Sequence, residues 1–314
     1  MTSATDGYVR VSKFSRSTYE EFVKAIAGLR AQGMEHLVVD LRDNSGGYFD
    51  QALMMSNLFL PKDSLIVFLE GRKRAREDYR ADGRGPYQDL PVSLLINEGS
   101  ASSSEIFAGA LQDNHRATIV GRRSFGKGFV QEPINFTDGS GIRLTVARFH
   151  TPSGRCIQKP YTEDYAFEVY KRYAGSEMVQ KDSMKIENGG IIPDVFVPLD
   201  TTRASDFYIK CNKKASALRF ASHYFDKHHA ELSAIDDYAQ LLDYLDRAEL
   251  DKQFLQFVKK TDGLVPKKGE WEDSKDYMMT QIRALVGRYS ALSDNAFYHI
   301  YLSIDETFAA AVKK

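Results

Sequence analysis

Residues 92–113 read VSLLINEGSASSSEIFAGALQD. Val92–Ile96 is a short apolar run of the kind that forms a strand covered on both faces. Small and polar residues follow to Ser104, and Ile106, Phe107, Ala110 and Leu111 then fall on one helix face. Thr118–Val120 reads as a strand again. Strand, helix and strand in this order are the repeating unit of a layered α/β fold.

The pattern extends in both directions. His36–Leu41 is another buried-type strand, ended by the turn-prone Asp43-Asn44-Ser45-Gly46-Gly47. Before it, Ser17-Thr18-Tyr19-Glu20 has the form of a capping box, with Phe22, Ile26 and Leu29 at helical spacing behind it. Tyr8–Val11 is strand-like. A helix is expected over Asp50–Leu60, closed by Pro61, and a strand over Ser64–Leu69. Residues 71–90 read as a polar loop rich in Arg and Gly. Phe129–Phe136 and Ile142–Phe149 are two further strands, and the core is expected to close near Ile192–Val197.

From about Thr202 the character changes to alanine, leucine and charge, with Tyr238, Leu241, Leu242 and Leu245 at helical spacing. Ser293 or Asp294 caps a last helix ending near Val312. The expected division is an α/β core over 1–200 and a C-terminal helical region over 201–314. The stripe at 238–245 reads as core packing, with a dimer contact as the minor reading.

Composition narrows the function. The 314 residues carry 42 basic and 43 acidic side chains, a net charge of -1, so no basic excess points to nucleic acid. No apolar run approaches the ~18 residues of a membrane helix. Two cysteines, Cys156 and Cys211, are too few for a disulfide framework or a zinc site, and no HExxH or Cys/His spacing occurs. Met1–Asp6 has neither the charged start nor the apolar core of a signal peptide.

Three segments carry possible chemistry. In Asp40–Gly47 the paired glycines allow close approach to exposed N–H groups, although a plain turn also accounts for them. In Asn97–Glu105 a serine at a strand-to-helix junction is exposed beside free N–H groups and the helix dipole, which suits an oxyanion. Ser102–Glu105 is equally a capping box, and nothing local separates Ser100, Ser102, Ser103 and Ser104. The third, Gly121–Gly128, approaches a phosphate-binding loop. It has Gly128 where Ser or Thr must hold magnesium, and a β-like segment with Pro133 where a helix must begin. Read as extended chain, it sets Lys127 and Gln131 on one face. A lysine between glycines and backed by apolar residues can be desolvated, which lowers its pKa and makes it a base for a serine.

These segments resemble the C-terminal processing (tail-specific) serine peptidase family. SASSSEIFAGALQD at Ser100–Asp113 and IVGRRSFGKGFVQ at Ile119–Gln131 carry the likeness, with 25 residues from Ser102 to Lys127 and four on to Gln131. GYVRVSKFS, VVDLRDNSGG, TPSGR at Thr151–Arg155 and GGIIPD at Gly189–Asp194 extend it over roughly residues 7–198. The resemblance implies a crotonase/ClpP-like layered core. It implies Ser102 as nucleophile, Lys127 as general base and Gln131 as the residue that orients the lysine. The oxyanion hole falls to the N–H of Ser103 and that of Gly46 or Gly47. Asp113 matches an acidic position better suited to structural support.

Departures accompany the match. Ser45 stands where the family has proline, and Ser103 where it has alanine. The family's PDZ domain, expected before Tyr8, has no room in this chain. The implied activity is endopeptidase cleavage near protein C-termini, without metal or organic cofactor. Protein or peptide tails are the partners, in a periplasmic or cell-envelope setting, with a homo-oligomer possible. The alternative is an apolar-ligand-binding or scaffold protein whose site is inactive or misaligned.

Overall fold

The computed structural model describes residues 5–159, 189–200 and 204–313. Two compact units emerge, one built from the chain up to Pro198 with the last residues from Ala310, the other from Leu199–Ala309.

The first unit holds a parallel sheet in the order β1 (Asp6–Arg10), β2 (His36–Asp40), β5 (Val92–Ile96), β6 (Thr118–Gly121), β9 (Val195–Phe196). Every residue of β5 is buried, as a central strand of a sheet covered on both faces must be. A second, antiparallel sheet runs β4 (Arg74–Arg80), β3 (Leu65–Gly71), β8 (Gly141–His150), β7 (Phe129–Asn135). Helices α1 (Thr18–Ala31), α2 (Phe49–Asn57) and α3 (Ser103–Asp113) complete the layers. Phe22, Phe59 and Phe107 meet in their shared core with ring centroids 6.2–6.4 Å apart.

Sequence reading and structure differ at three elements. Arg74–Arg80 is a strand, not loop. Its side chains pair among themselves (Arg74 with Glu77, Arg76 and Arg80 with Asp78), so no apolar alternation marks it. The box at Ser17 does not form: its hydroxyl pairs with that of Ser15 at 3.2 Å and accepts from no helix N–H. Thr18 takes over, its Oγ1 accepting from the Ser15 N–H at 2.8 Å. The last expected helix is two.

The second unit is helical: α4 (Asp206–Lys213), α5 (Ser216–Ser233), α6 (Tyr238–Arg247), α7 (Leu250–Asp262), α8 (Glu270–Gly287) and α9 (Asp294–Tyr301). A 3-10 turn at Leu302–Ile304 and Asp305 then separate α9 from α10 (Glu306–Val312). Leu241 and Leu245 of α6 are buried in a core around Phe220, Phe254, Met278 and Ile282. Asp237 caps α6, accepting from the N–H groups of Ala239 and Gln240. Cys156 and Cys211 are buried free thiols, and no described helix is long and apolar enough to cross a membrane.

Candidate active site

The carboxyl ends of β2, β5 and β6 carry the loops that build the site. At the end of β2, Asp40 is fully buried yet held ionised. Burial alone would raise its pKa. The Arg42 guanidinium at 2.7 Å, Arg10 at 3.2 Å and the Tyr8 hydroxyl at 2.7 Å outweigh this and hold it below the usual carboxylate range. This knot fixes where the next turn begins. Asn44 shapes that turn from inside, donating to the Val11 carbonyl at 2.6 Å and accepting from Gly46 N–H at 2.9 Å. Gly46, at φ +94°, lies so close to the α3 entry that a Cβ there would meet Ser102 Cβ at 2.8 Å and Ser103 N at 2.9 Å. Glycine is required by both backbone and space.

The four serines separate cleanly. Ser100 Oγ donates to the Leu41 carbonyl, Ser103 Oγ to Gly47 and Ser104 Oγ to Asn44, at 2.8, 3.0 and 2.9 Å, and all three are buried. Ser102 is partly exposed, at the N-terminal junction of α3, in a strained backbone with φ 56° and ψ -115°. Non-glycine residues at such angles cost of the order of 1–3 kcal/mol and concentrate at functional sites.

Glu105 ties the site together. It is fully buried, and Oε2 accepts from Ser102 N–H and from Lys127 N–H, each at 2.8 Å. Oε1 accepts from Gly126 N–H at 2.6 Å and from the Ser124 hydroxyl at 2.5 Å. The Ser102 and Lys127 nitrogens are thus no further apart than two hydrogen bonds to one oxygen. Burial pushes the Glu105 carboxyl up, against the pull of these four donors. Sequence reading met Glu105 only as half of a capping box. Its second role depends on a segment about twenty residues away, Ser124–Lys127, which no local signal encodes.

Two N–H groups near Ser102, those of Ser103 and Gly47, have no hydrogen-bond acceptor among the described residues. Gly46 N–H is taken by Asn44, so Gly47 is the glycine with a donor to offer.

The expected desolvation of Lys127 is corrected by the structure: its side chain is exposed. Gly126 and Gly128 are buried against Lys159, Gly190, Ile157 and Gln158, so close that a Cβ on either would clash. Lys127, between these two buried glycines, is exposed. Gln131 is also exposed. Its side-chain amide donates to Thr145 Oγ1 at 3.5 Å, and no hydrogen bond joins it to Lys127 among the described residues. Gly128 leads to β7, not to the helix that a phosphate-binding loop requires. Asp113 braces the Thr151–Arg155 turn, pairing with Arg155 at 2.5 Å and accepting from Ser153 N–H at 2.9 Å.

A serine–histidine–aspartate chain also exists, but its chemistry fails. His36 Nδ1 lies 2.8 Å from Asp6 and Nε2 3.0 Å from Ser93 Oγ. Ser93 is buried in mid-sheet and gives its proton to the Ala311 carbonyl at 3.2 Å, so it offers none to the imidazole.

Comparisons with known proteins give the family. The family model Peptidase family S41 matches residues 6–167. A second model, Family of unknown function (DUF8443), matches residues 207–290. The carboxyl-terminal-processing protease of Synechocystis sp. is 43% identical over 153 residues, covering 49% of this chain and 35% of that protein. The probable CtpA-like serine protease of Staphylococcus epidermidis is 40% identical over 153 residues, 48% of this chain and 31% of its own length. The chain therefore spans about a third of these relatives. Among solved structures, the photosystem II D1 C-terminal processing protease superposes with a TM-score of 0.50 at 32% identity, over 63% of this chain and 43% of that one. With the S41 model covering 162 of its 314 residues, from Asp6 to Phe167, the chain belongs to peptidase family S41.

Proposed function

We propose that the chain is the peptidase part of a serine endopeptidase cleaving near protein C-termini, acting in the cell envelope. Ser102 is the nucleophile and Lys127 the base. The observation that carries this reading is the single buried oxygen of Glu105, which holds the backbone of both. Ser102 Oγ attacks the scissile carbonyl while the neutral Lys127 amine accepts its proton. The tetrahedral oxyanion is received by the N–H groups of Ser103 and Gly47, helped by the positive end of α3. The protonated lysine then passes its proton to the leaving amine, and water releases the acyl group by the reverse sequence. Lys127 is open to solvent. A polypeptide lying across Ser102 would cover the amine and bring Gln131 to bear on it.

A serine-directed fluorophosphonate tests the assignment. Wild type is expected to carry the label on Ser102, and Lys127→Arg to lose labelling and at least ~100-fold in kcat/KM, since arginine cannot accept a proton. An adduct on another serine, or an arginine variant retaining a tenth of the activity, would overturn it. A misaligned scaffold predicts no label at all.

A further inference from the structure

Beyond Val130 the β7–β8 ribbon leaves the layers of the molecule, and every residue from Gln131 to Thr145 is exposed. Its two faces differ. Ile134 stands opposite Ile142, and Glu132 opposite Leu144. Cross-strand partners share a face, as do residues two apart, so Ile134, Ile142 and Leu144 form one apolar face. Phe136 extends the apolar surface at the turn, and these four side chains are 42–50% exposed. The other face carries Gln131, Pro133, Arg143 and Thr145. The apolar face's one charged strand residue, Glu132, is paired with Arg74 at 2.8 Å. Among the described residues β7 is the edge of its sheet, and no strand pairs with the outer side of Gln131–Asn135. Pro133, which has no N–H, fits an edge strand.

We propose that this ribbon is a docking arm for the substrate polypeptide. The substrate adds as a strand along the outer edge of β7, its apolar side chains resting on the Ile134, Ile142 and Leu144 face. This rests on the peptidase reading above. Three observations select the occupant. β7 begins two residues after Lys127, whose N–H shares one Glu105 oxygen with that of Ser102, so the start of this edge lies within reach of a chain at Ser102. Strand addition binds any main chain, while an apolar face free of unpaired charge selects apolar side chains. A second copy of the chain is the poorer fit, because four half-exposed side chains fall well short of the ~800 Å² per partner that a stable dimer buries.

The arm also sets a length. Residues 132–136 lie five to nine positions beyond Lys127, about 15–30 Å at ~3.3 Å per residue. The substrate residues that it holds are therefore about five to nine positions from the scissile bond.

The test is a peptide series sharing one cleavage site and extended stepwise by leucine-containing or serine-only segments. In wild type, kcat/KM is expected to rise at least ~10-fold once a leucine-containing extension passes about five residues, and not with serine. In the double variant Ile134→Ser, Ile142→Ser the ratio of long to short peptide should fall towards one. In Arg143→Ser, on the opposite face, it should persist. A flat wild-type profile, or a ratio that survives the double substitution, overturns the proposal. So does sedimentation that finds a wild-type dimer split by the same substitutions, which would make the occupant a second copy. Direct binding of the long leucine peptide to Ser102→Ala separates the two layers. Binding lost with the double substitution supports the arm even if wild type takes no fluorophosphonate and cleaves nothing, an outcome that would remove the peptidase reading alone.

Discussion

At Glu105 stability and function pull in opposite directions. Burial raises its pKa, so by linkage its contribution to stability is present below the ordinary carboxylate pKa and lost as pH rises through the raised one. Yet four donors converge on it, and only the ionised form accepts from all of them. The ionised form that the donors favour is the one that burial disfavours. Glu105→Gln puts an amide NH2 against donors at one of the two oxygens, forcing apart Ser102 and Lys127 or Gly126 and Ser124. A loss in kcat of at least ~100-fold is expected, from misplacement alone. A variant with wild-type kcat would reduce Glu105 to a helix cap. The two capping-box sequences explain why this residue was only half legible. Ser17–Glu20 and Ser102–Glu105 look alike as strings, but only the second glutamate is buried with further donors from Ser124, Gly126 and Lys127.

At the level of elements, the β2 end is set by charge and the arm by what is missing around it. Asp40 has a lowered pKa, so its contribution is present above the ordinary carboxylate pKa and lost as pH falls through the lowered one. Asp40→Asn leaves Arg42 and Arg10 without their shared counter-charge in a mostly buried setting. It should cost about 3 kcal/mol in urea unfolding at neutral pH. Between pH 7 and pH 3 the variant should lose less stability than wild type, because the titrating group is gone. Equal losses in both would show that Asp40 is not the group that the strand end depends on. The parallel sheet was readable because its strands are apolar runs between turn residues, as in Val92–Ile96. β4 was not, since it has no buried face to create alternation. In the arm, Ile134 and Phe136 alternate as a half-buried strand would, yet nothing described covers them. Periodicity reports which side is apolar, and only the fold reports what lies against it. Gly126-Lys127-Gly128 misled for the same reason: its glycines are the buried side, and the lysine is what they turn outward.

On the scale of the whole molecule, the two units have hydrophobic cores with no residue in common. The site residues Ser102, Glu105, Lys127, Ser103 and Gly47 all belong to the first. A chain with two separate cores need not unfold in one step, and a single melting temperature would then describe neither core. Phe254 tests this. It is fully buried in the second core, with Phe220 at 5.5 Å edge-on and Trp271 at 6.4 Å. Phe254→Ala removes a ring from a close-packed interior and should cost about 3–5 kcal/mol there. In calorimetry one of two transitions is expected to move down by several degrees or disappear, while the other stays in place. Fluorophosphonate labelling of Ser102, followed through the same temperature range, should track the transition that does not move. If wild type melts in a single transition whose calorimetric and van't Hoff enthalpies agree, and Phe254→Ala shifts all of it together with the labelling, the cores are one cooperative unit. The helical region would then be part of what holds Ser102 in its strained backbone, and the site could not be understood from the α/β layers alone.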